Sequence, residues 1–168
     1  MRLFIVIFFL MSCISSYAQF LPDNKSLNTQ SVDRWMKSAE AMAPVAELMD
    51  SMLSSDEEII KFDQLSALEQ DQEIQQFLTE QNQWDFANAL AKKWGWKSPG
   101  EFRRLSTKLG NAIAAYFSKK DMEGLNEDQI NQLKAKLDPV ILAVPESDVV
   151  FVQQHEKQLQ AYIQAYGK

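Results

Sequence analysis

From Ser31 onward the apolar residues fall three and four positions apart: Val32, Trp35, Met36, Ala39, Met42 and Ala43, then Val45, Leu48, Met49 and Met52. That spacing puts them on one face of an α-helix and predicts an amphipathic segment that buries the face. Pro44 interrupts the pattern. Proline lacks the backbone N–H and clashes with the preceding turn, so a helix kinked near Pro44, or two short ones, is expected.

Helix starts recur downstream. In Ser54-Ser55-Asp56-Glu57-Glu58 and in Ser66 with Glu69, a serine oxygen is placed to accept exposed backbone N–H groups while a glutamate reaches back to the cap. Ser98-Pro99-Gly100-Glu101 repeats this with proline at the first helical position, where no hydrogen bond is needed, and Asn126 with Gln129 is a weaker copy. These signals divide the chain into about six amphipathic helices with short connections. The fold class expected is all-α, a compact helical bundle.

Residues 98–118 read as its central helix, with Phe102, Leu105, Leu109, Ala112 or Ile113, and Tyr116 on one stripe. Gly110 and Ala114 place small side chains four apart on another face, where close approach of a neighbouring helix is expected. Residues 140–152 are ambiguous, because two β-branched runs flank Pro-Glu-Ser-Asp as in a hairpin. A lone hairpin is marginal in stability, so a last helix capped by Ser147 is expected, with its stripe at Val149, Val152, His155, Leu159, Tyr162 and Tyr166.

The first thirty residues follow a different pattern. Arg2, the apolar run at 3–11, and a short stretch ending in Ser16-Tyr17-Ala18 have the layout of a secretory signal peptide, residues 1–18. The run is too short to span a bilayer, and the small residues point to cleavage after Ala18. Leu10-Met11-Ser12-Cys13 offers an alternative, since it resembles a lipobox, in which the cysteine is lipidated and anchors the mature chain. Residues 19–30 are polar and aperiodic, a flexible leader, and residues 31–168 read as a single helical domain. The expected location is periplasmic or secreted, with no transmembrane segment after cleavage.

Charge and cysteine content then narrow the chemistry. Without Arg2, 16 basic side chains face 23 acidic ones, a formal net charge of −7. Nucleic-acid binding draws its affinity from a basic surface, so no nucleic-acid partner is expected. Cys13 is the only cysteine. The processed chain is therefore cysteine-free, without disulfide, thiol or thiolate metal chemistry.

Motifs exclude more than they assign. The glycines at 95, 100, 110, 124 and 167 form no phosphate-cradling loop or dinucleotide fingerprint, and no serine sits in a Gly-x-Ser-x-Gly elbow. One histidine leaves only carboxylate sites for a metal, and Gly124 is fourth in residues 121–130 where an EF-hand loop needs it sixth. Neither cofactor nor metal site is assigned. Glu146-Ser147 resembles the pair that carries the catalytic glutamate of helical lytic transglycosylases, without their Gly-Leu-Met-Gln motif. That resemblance implies a small cell-wall-acting hydrolase or lyase using Glu146, with His155 nearby, as the alternative to a non-enzymatic protein. His155 itself reads as a structural histidine, because no sequence partner accompanies it.

One segment stands out against the acidic background. Lys92-Lys93-Trp94-Gly95-Trp96-Lys97-Ser98-Pro99-Gly100-Glu101-Phe102-Arg103-Arg104 carries five positive charges and one negative. Helix grammar accounts for much of it: Lys92 and Lys93 complement the carbonyl end of one helix, Gly95 suits a left-handed terminus, and Ser98 opens the next. It leaves Arg103, Arg104 and the paired tryptophans unexplained. Lys92, Lys93, Trp94, Trp96, Arg103 and Arg104 are therefore the candidate binding residues, facing an acidic protein, an anionic lipid or a glycan of the envelope. The function expected is an exported bacterial envelope protein acting as a non-enzymatic helical binding module.

Overall fold

The computed structural model describes residues 26–166 and places eight α-helices there: α1 Thr29–Asp50, α2 Asp56–Asp63, α3 Ala67–Glu80, α4 Trp84–Lys93, α5 Pro99–Asp121, α6 Glu127–Lys134, α7 Pro139–Leu142 and α8 Glu146–Tyr166. No strand occurs among the described residues, so the region 139–152 is a single helical turn followed by a long helix. The segments expected to be a signal peptide, an alternative lipid anchor at Cys13 and most of a leader fall outside the described residues. None of the described helices is long and apolar enough to cross a membrane.

Local chemistry explains most of the boundaries. Ser55, Ser66, Ser98 and Asn126 each accept a backbone N–H three residues on, and reciprocal boxes form at Ser66/Glu69 and Asn126/Gln129. Two boundaries differ from the sequence expectation. Asn28 caps α1 through the Ser31 amide, so the helix opens at Thr29, and Leu27 before it is buried in the core. The end of the leader thus belongs to the packed domain. In α8 the helix opens at Glu146, and Ser147 Oγ lies 3.2 Å from Ser26 Oγ instead of capping it.

The element absent from the expectation of about six helices is the extra turn α7, which Asp138 with Pro139 starts. α1 is one helix rather than two, with Pro44 inside it on the exposed side. Ala43, expected on the apolar stripe, is exposed as well.

Two apolar clusters share α1 and α5. The first joins Met42, Val45 and Met49 of α1 to Phe62, Ile74, Leu78, Ala87 and Ala91, closed by Trp96 and Phe102. The second joins Leu27 and Val32 to Leu109 and Ala112 of α5 and to Phe151, Val152 and Leu159 of α8. Trp35 and Leu105 touch both clusters, so the two halves are continuous. α5 is the central helix, packing against α1, α3, α4, α7 and α8.

The small residues that permit close packing are not those expected. Gly110 and Ala114 are exposed, and a Cβ on Gly110 meets nothing within 4 Å. Ala112 and Ala115 are buried on the opposite side, and Gly100 takes the tight position, where a Cβ would lie 1.9 Å from Asp71 Oδ1. Periodicity alone does not tell which of two small-residue faces a partner helix covers.

Candidate functional site

The paired tryptophans are a consequence of how α4 stops. Gly95 adopts φ +78°, its N–H bonds to the Lys92 carbonyl at 3.0 Å, and the Trp96 N–H reaches back to the Ala91 carbonyl at 3.0 Å. These two bonds define a Schellman terminus, and its accompanying hydrophobic contact is made by Trp96, which drops into the same cluster as Ala91. Only Gly95 of the pair's neighbourhood needs the left-handed backbone; its Cβ position is otherwise open, 3.8 Å from the nearest side-chain atom.

Trp96 is 2% exposed and held on three sides. Its indole N–H donates to Ser38 Oγ at 3.1 Å, its ring meets Phe102 edge-on at 5.5 Å, and the Arg34 guanidinium covers it at 3.8 Å. Arg34 also donates to the Gly95 carbonyl at 2.6 Å and pairs with Glu101 at 3.5 Å. A residue 61 positions earlier in the chain thereby clamps the α4 terminus to the α5 start. Trp94 remains half-buried, with its indole N–H unpaired inside the fold.

The two arginines are structural clamps facing different neighbours. Arg104 makes a bidentate pair with Asp71, at 2.8 and 3.2 Å, and also donates to the Ala67 carbonyl. Asp71 in turn accepts from Ser98 Oγ at 3.0 Å, so α3 and α5 are tied at their N-termini, over Gly100. Arg103 lies over the Phe62 ring at 4.7 Å. Burial lowers its pKa, opposed by the charges of Asp63 and Asp50, and burial raises the Asp63 carboxyl against the pull of Arg103. Lys92, Lys93 and Lys97, by contrast, are exposed.

The structure therefore divides the six candidate residues. Trp94, Trp96 and Arg104 line a groove of about 870 Å³ between the N-terminal halves of α1 and α5, closed by the α4–α5 corner and the start of α3. Lys92, Lys93 and Arg103 lie outside it. Arg34, Lys37, Lys97 and Lys108 join Arg104 as its cations, against Asp33, Asp71 and Glu101. Each of these carboxylates already accepts from within the protein: Asp71 from Arg104 and Ser98, Glu101 from the Lys97 amide at 2.6 Å and from Arg34, Asp33 from Gln158 at 3.1 Å. Lys108 is buried and pairs with buried Asp148 at 3.5 Å, whose other oxygen accepts the Leu27 N–H at 2.7 Å. The ammonium groups of Lys37 and Lys97 have no ion-pair partner among the described residues.

Glu146 and His155 are not brought together. Nine residues apart on α8, they lie on opposite faces with about 13.5 Å of helical rise between them. Glu146 is exposed and pairs with Lys119. His155 stacks on Phe151 at 4.1 Å, places Nδ1 2.8 Å from the Phe151 carbonyl, and has Thr29 Oγ1 3.5 Å from Nε2. Among the described residues no group of three or more His, Cys, Asp or Glu side chains is placed to hold a metal ion.

Arg34, Lys37, Ser38 and Asp71 complete the corner and escape a reading confined to residues 92–104, because each belongs to a distant helix and has no local motif. Compared with known proteins, the chain matches no family model, no curated protein and no solved structure.

Proposed function

We propose that this chain is an exported, non-enzymatic helical binding module of the bacterial envelope, and that its site is the groove at the α4–α5 corner. One observation carries the reading. The groove's carboxylates are occupied by internal hydrogen bonds, while two of its cations, Lys37 and Lys97, are exposed and have no ion-pair partner among the described residues. Its remaining electrostatic capacity is for an anionic partner, even though the whole chain carries a formal charge of −6. Lys92 and Lys93, although exposed a few residues from Lys97, lie outside the groove and take no part in this site.

Arg103 and Arg104 support the site through the fold. Replacing them unties α5 from Phe62 and Asp71 and says little about binding. The informative variants are lysines: the mature protein with Lys37→Gln and Lys97→Gln, compared with wild type in capture from envelope extract, with bound protein, lipid and glycan assayed separately. Retention of one anionic class that the double variant loses supports the reading; equal retention by both ends it. Export is checked in the same preparation by the intact mass of the N-terminus, expected at Gln19, with a lipidated Cys13 as the opposing outcome.

A further inference from the structure

Building on the binding-module reading, we propose that the groove holds an acidic saccharide, a sugar chain bearing carboxylates. The lysines without an ion-pair partner among the described residues set the chemistry of the ligand. Lys37 stands one turn beyond Arg34 on α1, and Lys97 stands two residues beyond Gly95, to which Arg34 is bonded. The two ammonium groups thus belong to two elements that line one groove, α1 and the α4–α5 link, which the Arg34 clamp ties together. The same groove is also lined by the half-buried Trp94 and the exposed Gln30, whose amide has no hydrogen-bond partner among the described residues.

Each free group selects a feature of the same ligand. Ammonium groups take carboxylates, an amide pairs with hydroxyls as donor and acceptor, and an indole packs against the C–H face of a sugar ring. The volume of about 870 Å³ lies within the range of small-ligand sites. Other anionic partners fit less well. A lipid needs a place for acyl chains, and the apolar lining is limited to Ala67, Leu105 and the two tryptophans. An extended peptide gains most from a free strand edge, and no strand occurs among the described residues.

The test uses the mature chain with a uronic-acid oligomer of several units as probe, followed by calorimetry and by tryptophan fluorescence. Binding is expected to weaken with added salt, to fall by about tenfold or more in the Lys37→Gln/Lys97→Gln double variant, and to be retained by Lys92→Gln/Lys93→Gln. Trp94→Phe is expected to remove the fluorescence response. Unchanged circular dichroism and melting of the double variant separate loss of charge from loss of fold. Four outcomes overturn the proposal: no binding at millimolar probe, equal binding by the double variant, equal binding of a neutral oligosaccharide, or binding only to phosphatidylglycerol vesicles or inorganic phosphate. If the probe fails while capture from envelope extract still depends on Lys37 and Lys97, the ligand class is wrong and the binding-module reading survives; if both fail, so does that reading.

Discussion

The indole N–H of Trp96 donates to Ser38 Oγ at 3.1 Å, and Ser38 is completely buried. The Ser38 hydroxyl in turn donates a hydrogen bond to the Arg34 carbonyl at 2.9 Å, and the Arg34 guanidinium donates to the Gly95 carbonyl beside Trp96. The chain of bonds closes on itself, so α1 and the α4–α5 corner are oriented by polar contacts as well as by packing. Ser38→Ala strands a buried indole donor and is expected to cost about 1–3 kcal/mol in urea unfolding. A cost near zero would mean that the indole N–H finds water.

Two glycines on α5 should respond oppositely to alanine. Gly110 is exposed with open space at its Cβ, so Gly110→Ala is expected to stabilise by up to about 1 kcal/mol through helix propensity. At Gly100 the new Cβ would lie 1.9 Å from Asp71 Oδ1, so Gly100→Ala must displace the Asp71–Arg104 pair and lower Tm. Paired thermal melts of the two variants check both signs.

At the Schellman terminus the requirement is conformational. Gly95→Ala forces an L side chain to φ +78° and is expected to lose about 1–2 kcal/mol, with Gly95→Asn losing less. Equilibrium denaturation of both variants measures the difference.

The segment ahead of α1 is anchored. Leu27 is buried with its amide on Asp148, and Asn28 caps the helix. Leu27→Ala is expected to cost about 2–5 kcal/mol and Asn28→Ala about 0.5–2 kcal/mol. Protection of the α1 N-terminus in hydrogen exchange should fall in both.

Acid should weaken the fold from the carboxylate side. Hydrogen bonds from Ser54, Ser66 and Tyr116 hold Glu58, Glu69 and Glu156 below their ordinary value of 4.5. A depressed folded value means that this stabilisation is fully present above 4.5 and is lost as pH falls below it. Asp63 opposes the trend, because burial raises its carboxyl and its contribution improves on protonation. With three groups against one, Tm is expected to drop as the pH falls below about 4.5, less steeply in Glu156→Gln.

What could be read from the chain itself was whatever acts over one helical turn. Ser66 with Glu69, Ser98 with Pro99 and the left-handed Gly95 are interactions between residues at most five apart, so their chemistry is written in adjacent letters. The apolar stripe of α5 was legible for the same reason. Long-range geometry decided the rest. Whether Gly100 or Gly110 meets a neighbour, whether Arg104 projects to solvent or onto Asp71, and whether Trp96 is a binding surface or a core anchor depend on helices distant in the chain, 33 residues away for Arg104 with Asp71 and 58 for Trp96 with Ser38. The basic segment looked uniform because linear charge counting does not register pairing. Packing used its arginines as internal clamps and left Lys97, with Lys37 from a distant helix, as the groove's lysines without an ion-pair partner among the described residues.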